Sequence, residues 1–227
     1  MTYDAVHSVF KEILSKYHQE HPYDQMIPKP LESPESLSAS TPHKSLRYAP
    51  STVCILVRYY DPIKNTPPLL ELVLTLRKEN LRHGGQISFA GGKVDPGEDS
   101  KVAVLRELEE ELGIPSNDIT LAGKLPDFYL HHSRHQITPH VGIIPSRLAL
   151  IPNPEEVEEI LSIPIEHFTE QSNQKESLWE LRNQRYKVPF YDVHKTPLWG
   201  ATAMMLAEWL KVYSEFTTTL KRENLFS

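Results

Sequence analysis

GGKVDPGEDSKVAVLRELEEELGI, residues 91–114, is the stretch on which the reading of this chain turns. Its second half has the pattern of a helix from about Ser100 to Leu112, stopped by Gly113 and Pro115. At about 100° per residue, Glu110 and Glu111 fall to either side of Glu107, so three carboxylates share one face. Leu105, Leu108 and Leu112 gather on another face with Val104 at its margin, and Glu109 points away to solvent. Like charges at helical neighbours each cost a few tenths of a kcal/mol, roughly, and a divalent cation such as Mg²⁺ or Mn²⁺ removes that cost. An acidic run alone is more often a solvated helix face. The loop before it shifts the balance toward a metal site. Gly91, Gly92 and Gly97 permit turns that other residues resist, so backbone carbonyls can face the helix. Glu98 adds a carboxylate, Arg106 a cation beside Glu107, and Asp99 or Ser100 a helix cap, while Pro96 stiffens the approach.

Working outward, TVCILVRYY (52–60) and LLELVLTLR (69–77) read as strands joined by a Pro-containing turn, and QISFA (86–90) as a short strand entering the glycines. After the helix, strands are expected in ITLAGKL, HQITPHVGIIP, VEEILSI, SLWELR and YKVPFYD. WGATAMMLAEWLKVYSEF (199–216) closes the pattern as an amphipathic helix anchored by Met204, Leu206, Trp209, Leu210 and Tyr213. At the other end, Val6, Phe10, Ile13, Leu14 and Tyr17 stand at helical spacing. Residues 21–50 are rich in proline and serine and read as an irregular connector. The expected architecture is α/β: a mixed sheet between helices, preceded by an N-terminal helix and connector. The expected division is 1–50 for that extension, 51–216 for the domain and 217–227 for a tail.

Composition sets outer limits. With 227 residues and 39% apolar content, the chain suffices for one α/β domain. The net charge of −6 argues against sequence-independent binding of nucleic acid, leaving room for a small anionic ligand. The single cysteine, Cys54, lies in the apolar run VCILV and reads as core in a reducing compartment. No run of apolar residues is long enough for a membrane span, and the first residues lack a signal-peptide pattern, so cytoplasm is the expectation. A monomer or homodimer is expected. The HHSRH cluster (His131, His132, Arg134, His135) lacks the cysteines or HExxH spacing of a zinc site and reads as a loop.

Residues 91–114 resemble the Nudix box, in which a glycine, five residues, a glutamate and seven more lead into REUxEExGU, with U aliphatic. Gly92, Glu98 and the run from Arg106 to Ile114 fill every fixed position. The resemblance implies an α/β/α sandwich and metal-dependent hydrolysis of a nucleoside diphosphate linked to another group. It also implies metal ligation by Glu110, Glu111 and the Gly91 carbonyl. Glu107 becomes the general base or a further ligand, oriented by Arg106, with Glu98 in support. In some families the base comes from a later loop, where Glu155, Glu156 and Glu158 are the candidates here.

Upstream, LTLRKENLRHGGQISFAGG (74–92) is similar to the additional signature of coenzyme A pyrophosphatases. Arg77, Arg82, Gly85, Gln86, Phe89, Gly91 and Gly92 align with it; the Arg82–Gly85 interval is one residue short, Ala90 stands for proline and Lys78 for a small residue. Guanidinium forks at Arg77 and Arg82 suit phosphate oxygens, and Gln86 and Phe89 complete the expected substrate contacts. Segments 136–145, 153–168 and 198–206 also look like coenzyme A-type members. The implied reaction cleaves coenzyme A or a derivative to 3′,5′-ADP and a 4′-phosphopantetheine product, with Phe89, Trp199 and Tyr191 as aromatic candidates for the pocket. ADP-ribose, NADH or an oxidised nucleotide are the alternative substrates, and a non-catalytic ligand sensor is the alternative role.

Overall fold

A computed structural model describes residues 1–19, 22–31, 41–43, 45–63, 66–81, 83–131, 133–181 and 183–222. The strands are β1 (Lys29–Pro30), β2 (Ala49–Tyr60), β3 (Leu69–Arg77), β4 (Ile87–Ser88), β5 (Thr120–Lys124), β6 (Phe128–Leu130), β7 (His135–Pro145), β8 (Val157–Pro164), β9 (Gln174–Leu181), β10 (Gln184–Tyr191) and β11 (Leu198–Trp199). The α-helices are α1 (Tyr3–Lys16), α2 (Ser100–Leu112), α3 (Ile165–Thr169) and α4 (Gly200–Arg222).

The main sheet runs β4-β3-β2-β7-β5, with β8 also on β3 and β6 on β7. It is mixed: β2 lies parallel to β7 from Ala49↔His135 to Tyr59↔Pro145, and antiparallel to β3. Successive strand residues point to opposite faces, and here each face meets helices. Cys54, Leu56, Val73 and Ile144 pack with Val104, Leu108 and Leu112 of α2 on one side. Ile55, Val57, Leu72, Leu74 and Ile143 pack with Phe10 of α1 and Leu206 and Trp209 of α4 on the other. That double cover explains why β2 and β3 are apolar along almost their whole length rather than alternating. Cys54 is fully buried, and burial pushes its thiol up to about 12, as befits a core residue. The sandwich and the N-terminal helix are those the sequence implies.

A smaller sheet, β1-β10-β11 with β9 paired to β10, stands beside the main one. β11 meets β4, and Tyr191 and Leu198 enter the α4 side of the core. Helix α2 has the bounds its sequence predicts. Asp99 caps it by accepting from the Lys101 N–H at 2.8 Å, and Gly113 ends it in the left-handed region at φ 66°.

Candidate active site

The loop between β4 and α2 is fastened to the start of β2. Cys54 donates its N–H to Ala90 C=O at 2.9 Å, Thr52 to Gly92 C=O at 2.8 Å, and Val94 to Pro50 C=O at 3.1 Å. Gly91 is required sterically, and a side chain at Gly92 would displace a neighbouring carboxylate. At Gly91 (φ 148°) a Cβ would lie 2.3 Å from Thr52 O, and at Gly92 one would lie 2.4 Å from Glu107 Oε1. The loop thus passes directly over the Glu107 carboxylate, bringing the Gly91–Gly92 backbone to α2.

On α2 the three carboxylates occupy different depths. Glu110 is half exposed, Glu107 is mostly covered, and the Glu111 side chain is only 2% exposed. Arg106 ties the outer two together: Nη1 donates to Glu107 Oε1 and Glu110 Oε2, each at 3.0 Å. Its Nε and Nη2 hold Glu98 at 3.1 and 3.2 Å, and Nη2 also reaches Lys93 C=O. These contacts draw the Glu98 carboxyl below its ordinary range. Burial pushes Glu107 up despite Arg106.

Glu111 is the deepest. Burial pushes its carboxyl up to about 8, with Glu107 and Glu156 adding to the rise and Arg77 and the Gly91 backbone opposing it. Arg77 Nη1 stands 3.7 Å from Glu111 Oε1, while Oε2 is buried without a hydrogen-bond partner among the described residues. An orphaned carboxylate oxygen in that position is costly unless a cation meets it. This oxygen, on a carboxyl that the Gly91 backbone also reaches, is what fits the residues to a divalent ion. Among the described residues no three His, Cys, Asp or Glu side chains stand together as a ready cage. Glu107 and Glu110 face Arg106, so joint ligation with Glu111 requires them to turn off it.

The other expected site residues divide. Arg77 lies beside Glu111, and Gln86 is joined to it through the backbone, its C=O accepting the Arg77 N–H at 3.0 Å. Arg82 falls outside the described residues. Phe89, expected among the substrate contacts, follows β4 directly and is 3% exposed, and Tyr191 on β10 is 1% exposed; both rings lie in the core on the α4 side. Trp199 stays partly open. Leu105, expected with Leu108 and Leu112, is only partly buried, and Val104 takes the deep position instead. In the HHSRH loop, His131 Nδ1 pairs with Tyr48 Oη at 2.6 Å and His135 Nδ1 with Ser51 Oγ at 2.7 Å; His132 falls outside the described residues.

Sequence spacing could not choose among Glu155, Glu156 and Glu158. The fold separates them. Asn153 N–H donates to Glu111 C=O at 2.9 Å, and Lys78 N–H to Glu156 C=O at 3.0 Å, stretching this segment from the end of α2 to the end of β3. Glu156 is partly buried there, and its charge raises both Glu107 and Glu111. Glu158 is exposed and paired with Lys78 at 3.1 Å. A cleft of about 480 Å³ opens elsewhere, lined by Pro50, Ser51, Val94, Glu98 and Gln136 among others. Arg106 lies between its Glu98 wall and the Glu107–Glu110 pair, so the carboxylate cluster is centred outside it.

A family model described as "NUDIX domain" matches residues 64–182, which is 119 of the 227. The chain is 36% identical over 141 residues to the "Uncharacterized Nudix hydrolase NudL" of Photorhabdus laumondii, covering 61% of this chain and 75% of that one. A protein of the same description from Yersinia pestis is 36% identical over 140 residues, 60% of this chain and 68% of that one. Among solved structures, a Nudix hydrolase from M. smegmatis, RenU, superposes with a TM-score of 0.51 at 14% identity, covering 74% of this chain and 87% of its own. A mutT/nudix family protein from Listeria innocua gives 0.50 at 19% identity, covering 76% and 98%. These two structural likenesses speak to the fold.

Proposed function

We propose, from the premise that this chain belongs to the NUDIX domain family and is a Nudix hydrolase, that its substrate is coenzyme A or a derivative, cleaved at the diphosphate. The products are 3′,5′-ADP and a 4′-phosphopantetheine compound. The observation that carries the catalytic reading is the buried, unpartnered Glu111 Oε2, on a carboxyl that the Gly91 backbone also reaches. Glu111, Glu110 and the Gly91 carbonyl would hold Mg²⁺ or Mn²⁺, with Glu107 as further ligand or base. Such an ion supplies charge neutralisation at the phosphates and acidifies water.

The chain's own residues do the rest. Glu107, whose carboxyl burial holds above its ordinary value, is the proton acceptor for the attacking water. Arg106, anchored by Glu98, sets its direction. Glu156 contributes negative charge from the opposite strap. Arg77, moving the short distance from Glu111 to a phosphate oxygen, steadies the in-line geometry that phosphoryl transfer demands. The coenzyme A assignment rests on the 74–92 signature, whose Arg77 end lies at the carboxylates; Arg82 and Gln86 are its further phosphate and substrate contacts. The ligand is then a small nucleotide, met by a monomer or homodimer in the cytoplasm, with neither nucleic acid nor membrane as partner.

The test is a panel of coenzyme A, acetyl-coenzyme A, ADP-ribose, NADH and 8-oxo-dGTP, incubated with protein and Mg²⁺ or Mn²⁺ and resolved by mass. Metal-dependent release of 3′,5′-ADP, with coenzyme A compounds turned over best, is the expected result. Preference for ADP-ribose or NADH would keep the chemistry and remove the substrate assignment. No cleavage at all would favour a ligand sensor.

A further inference from the structure

The small sheet has two unlike faces. Phe190 is paired with Trp199 and Tyr191 with Leu198 in adjacent strands, so each pair shares a side. Tyr191 and Leu198 are buried in the main core. Phe190 and Trp199 therefore point the other way, as does Trp179, which is paired with Tyr186 two positions of like parity from Phe190. The three rings touch: Trp179 is stacked on Phe190 with centroids 5.7 Å apart and planes 24° apart, and Trp199 meets Trp179 edge-on at 5.0 Å. All three are only partly buried.

Large aromatic side chains gathered but not covered are a surface for another flat, apolar group. Two observations say which. The strip adjoins the strand that feeds the Gly91–Gly92 loop: β11, which carries Trp199, meets β4, whose C-terminal end leads through Phe89 and Ala90 to Gly91. Beyond Trp199 there is room: among the described residues, apart from the adjoining chain, no atom lies within 4 Å of where a Cβ on Gly200 would stand. A diphosphate substrate held at the carboxylates extends outward in both directions, and a nucleobase is the part of it that stacks.

We infer that Trp179, Phe190 and Trp199 form the stacking site for the planar base of the nucleotide substrate. This rests on the proposed hydrolysis of a nucleoside diphosphate derivative and adds the residues that grip its base. Stacking is tolerant of the base's identity, because each base presents a π-face. The site therefore gives affinity for nucleosides as a class, leaving finer discrimination to other contacts.

The chain's tryptophans provide a readout independent of turnover. Of the three, two are in the cluster and the third, Trp209, is fully buried in the core. Adenosine 5′-phosphate titrated into the full chain in chelator is expected to quench emission saturably, and ribose 5-phosphate at equal concentration is not. Trp179→Phe and Trp199→Phe should each reduce the amplitude. Trp199→Ala should raise KM for the best diphosphate of the panel by about tenfold, the scale of one lost base stack, with the effect in KM rather than kcat. If that variant misfolds by circular dichroism, the Trp179→Phe and Trp199→Phe pair carries the same comparison. Equal quenching by ribose phosphate, no quenching, or an unchanged KM would overturn the assignment. So would a concentration-dependent dimer that Trp179→Phe dissociates, since the face would then belong to a second copy. Failure of the whole substrate panel would refute the hydrolytic reading while the titration still reported on the shelf.

Discussion

Glu111 is the residue on which the proposed chemistry depends most. Its carboxyl is pushed up to about 8 chiefly by burial, and Arg77 at 3.7 Å only partly offsets this. Glu111→Gln preserves shape and removes the charge. Turnover with Mn²⁺ should fall by at least about 10²-fold, the scale of losing one electrostatic stabiliser. The melting midpoint in chelator should stay level or rise, because an amide carries no penalty for ionising in a buried position. Activity near that of the parent would remove Glu111 from the metal site. His140 makes the opposite kind of statement. Burial is the main cause that lowers it from 6.5 to about 4; Lys124 and Lys101 also lower it, while Asp99 and Asp127 raise it. Its ring accepts or donates at Ser100 Oγ, 3.0 Å away. The folded protein keeps this histidine neutral where the unfolded chain takes up a proton. Its contribution to stability is thus complete above about pH 6.5 and is lost as pH falls toward 4. The full effect is on the order of 3 kcal/mol at the acid end. Denaturant midpoints measured at about pH 7 and about pH 4.5 should converge in His140→Gln relative to the parent. An unchanged pH slope would show that His140 is not the group responsible.

At the scale of elements, the β4–α2 loop and helix α2 act as one part. A methyl at Gly92 would come within 2.4 Å of Glu107 Oε1, so Gly92→Ala should swing Glu107 away while leaving the Leu108 and Leu112 packing alone. A displacement of that size at a reacting group costs about 10²-fold in kcat, measurable beside an unchanged helical circular dichroism signal. Full activity would mean the loop does not position Glu107. This part was also the most legible in the sequence. Asp99 and Gly113 are local stop signals, and the 3.6-residue period fixes which residues face the sheet. β3 and β7 were equally plain, because long apolar strands announce themselves. Lys29–Pro30, Phe128–Leu130 and Leu198–Trp199 did not: two or three residues carry no period, and they are strands only because β10 or β7 lies alongside. The placing of Glu156 where its charge acts on Glu107 and Glu111 was hidden for the same reason. It depends on Asn153 reaching the Glu111 carbonyl, a contact between segments 42 residues apart in the chain. The burial of Phe89 was not legible either: an aromatic in a signature motif looks functional, whereas its ring lies in the core cluster together with Ile87.

Across the whole molecule, the segment before the Nudix box region is part of what holds the sandwich together. α1 lies against β5 and α4, and Phe10 is stacked on Phe216 at 4.2 Å and tilted against Trp209 at 5.0 Å. Behind it, the buried Glu208 of α4 accepts from Tyr17 Oη at 2.6 Å, from Tyr23 N–H at 3.0 Å and from Lys211 at 2.9 Å, and Lys211 also holds Asp24. Tyr23 Oη bonds the Pro126 carbonyl, and the next residue, Asp127, fixes Gln136 and Thr138 at the cleft wall. Composition alone separated residues 21–50 from the domain, because proline and serine carry no helix or strand period; Tyr23 and β1 are bound by contacts that only the folded chain supplies. Phe10→Ala removes a fully buried ring and should cost about 3–5 kcal/mol. Ile63→Ala, at a side chain 81% exposed, should change stability by no more than about 0.5 kcal/mol. Since α1 carries none of the residues at the carboxylate site, KM at low temperature should be the same in both variants. A Phe10→Ala protein as stable as Ile63→Ala would mean that the sandwich closes without α1. A large loss of stability at constant KM would make the N-terminal helix a structural member of the catalytic domain, required for the sheet to hold its shape and absent from the chemistry.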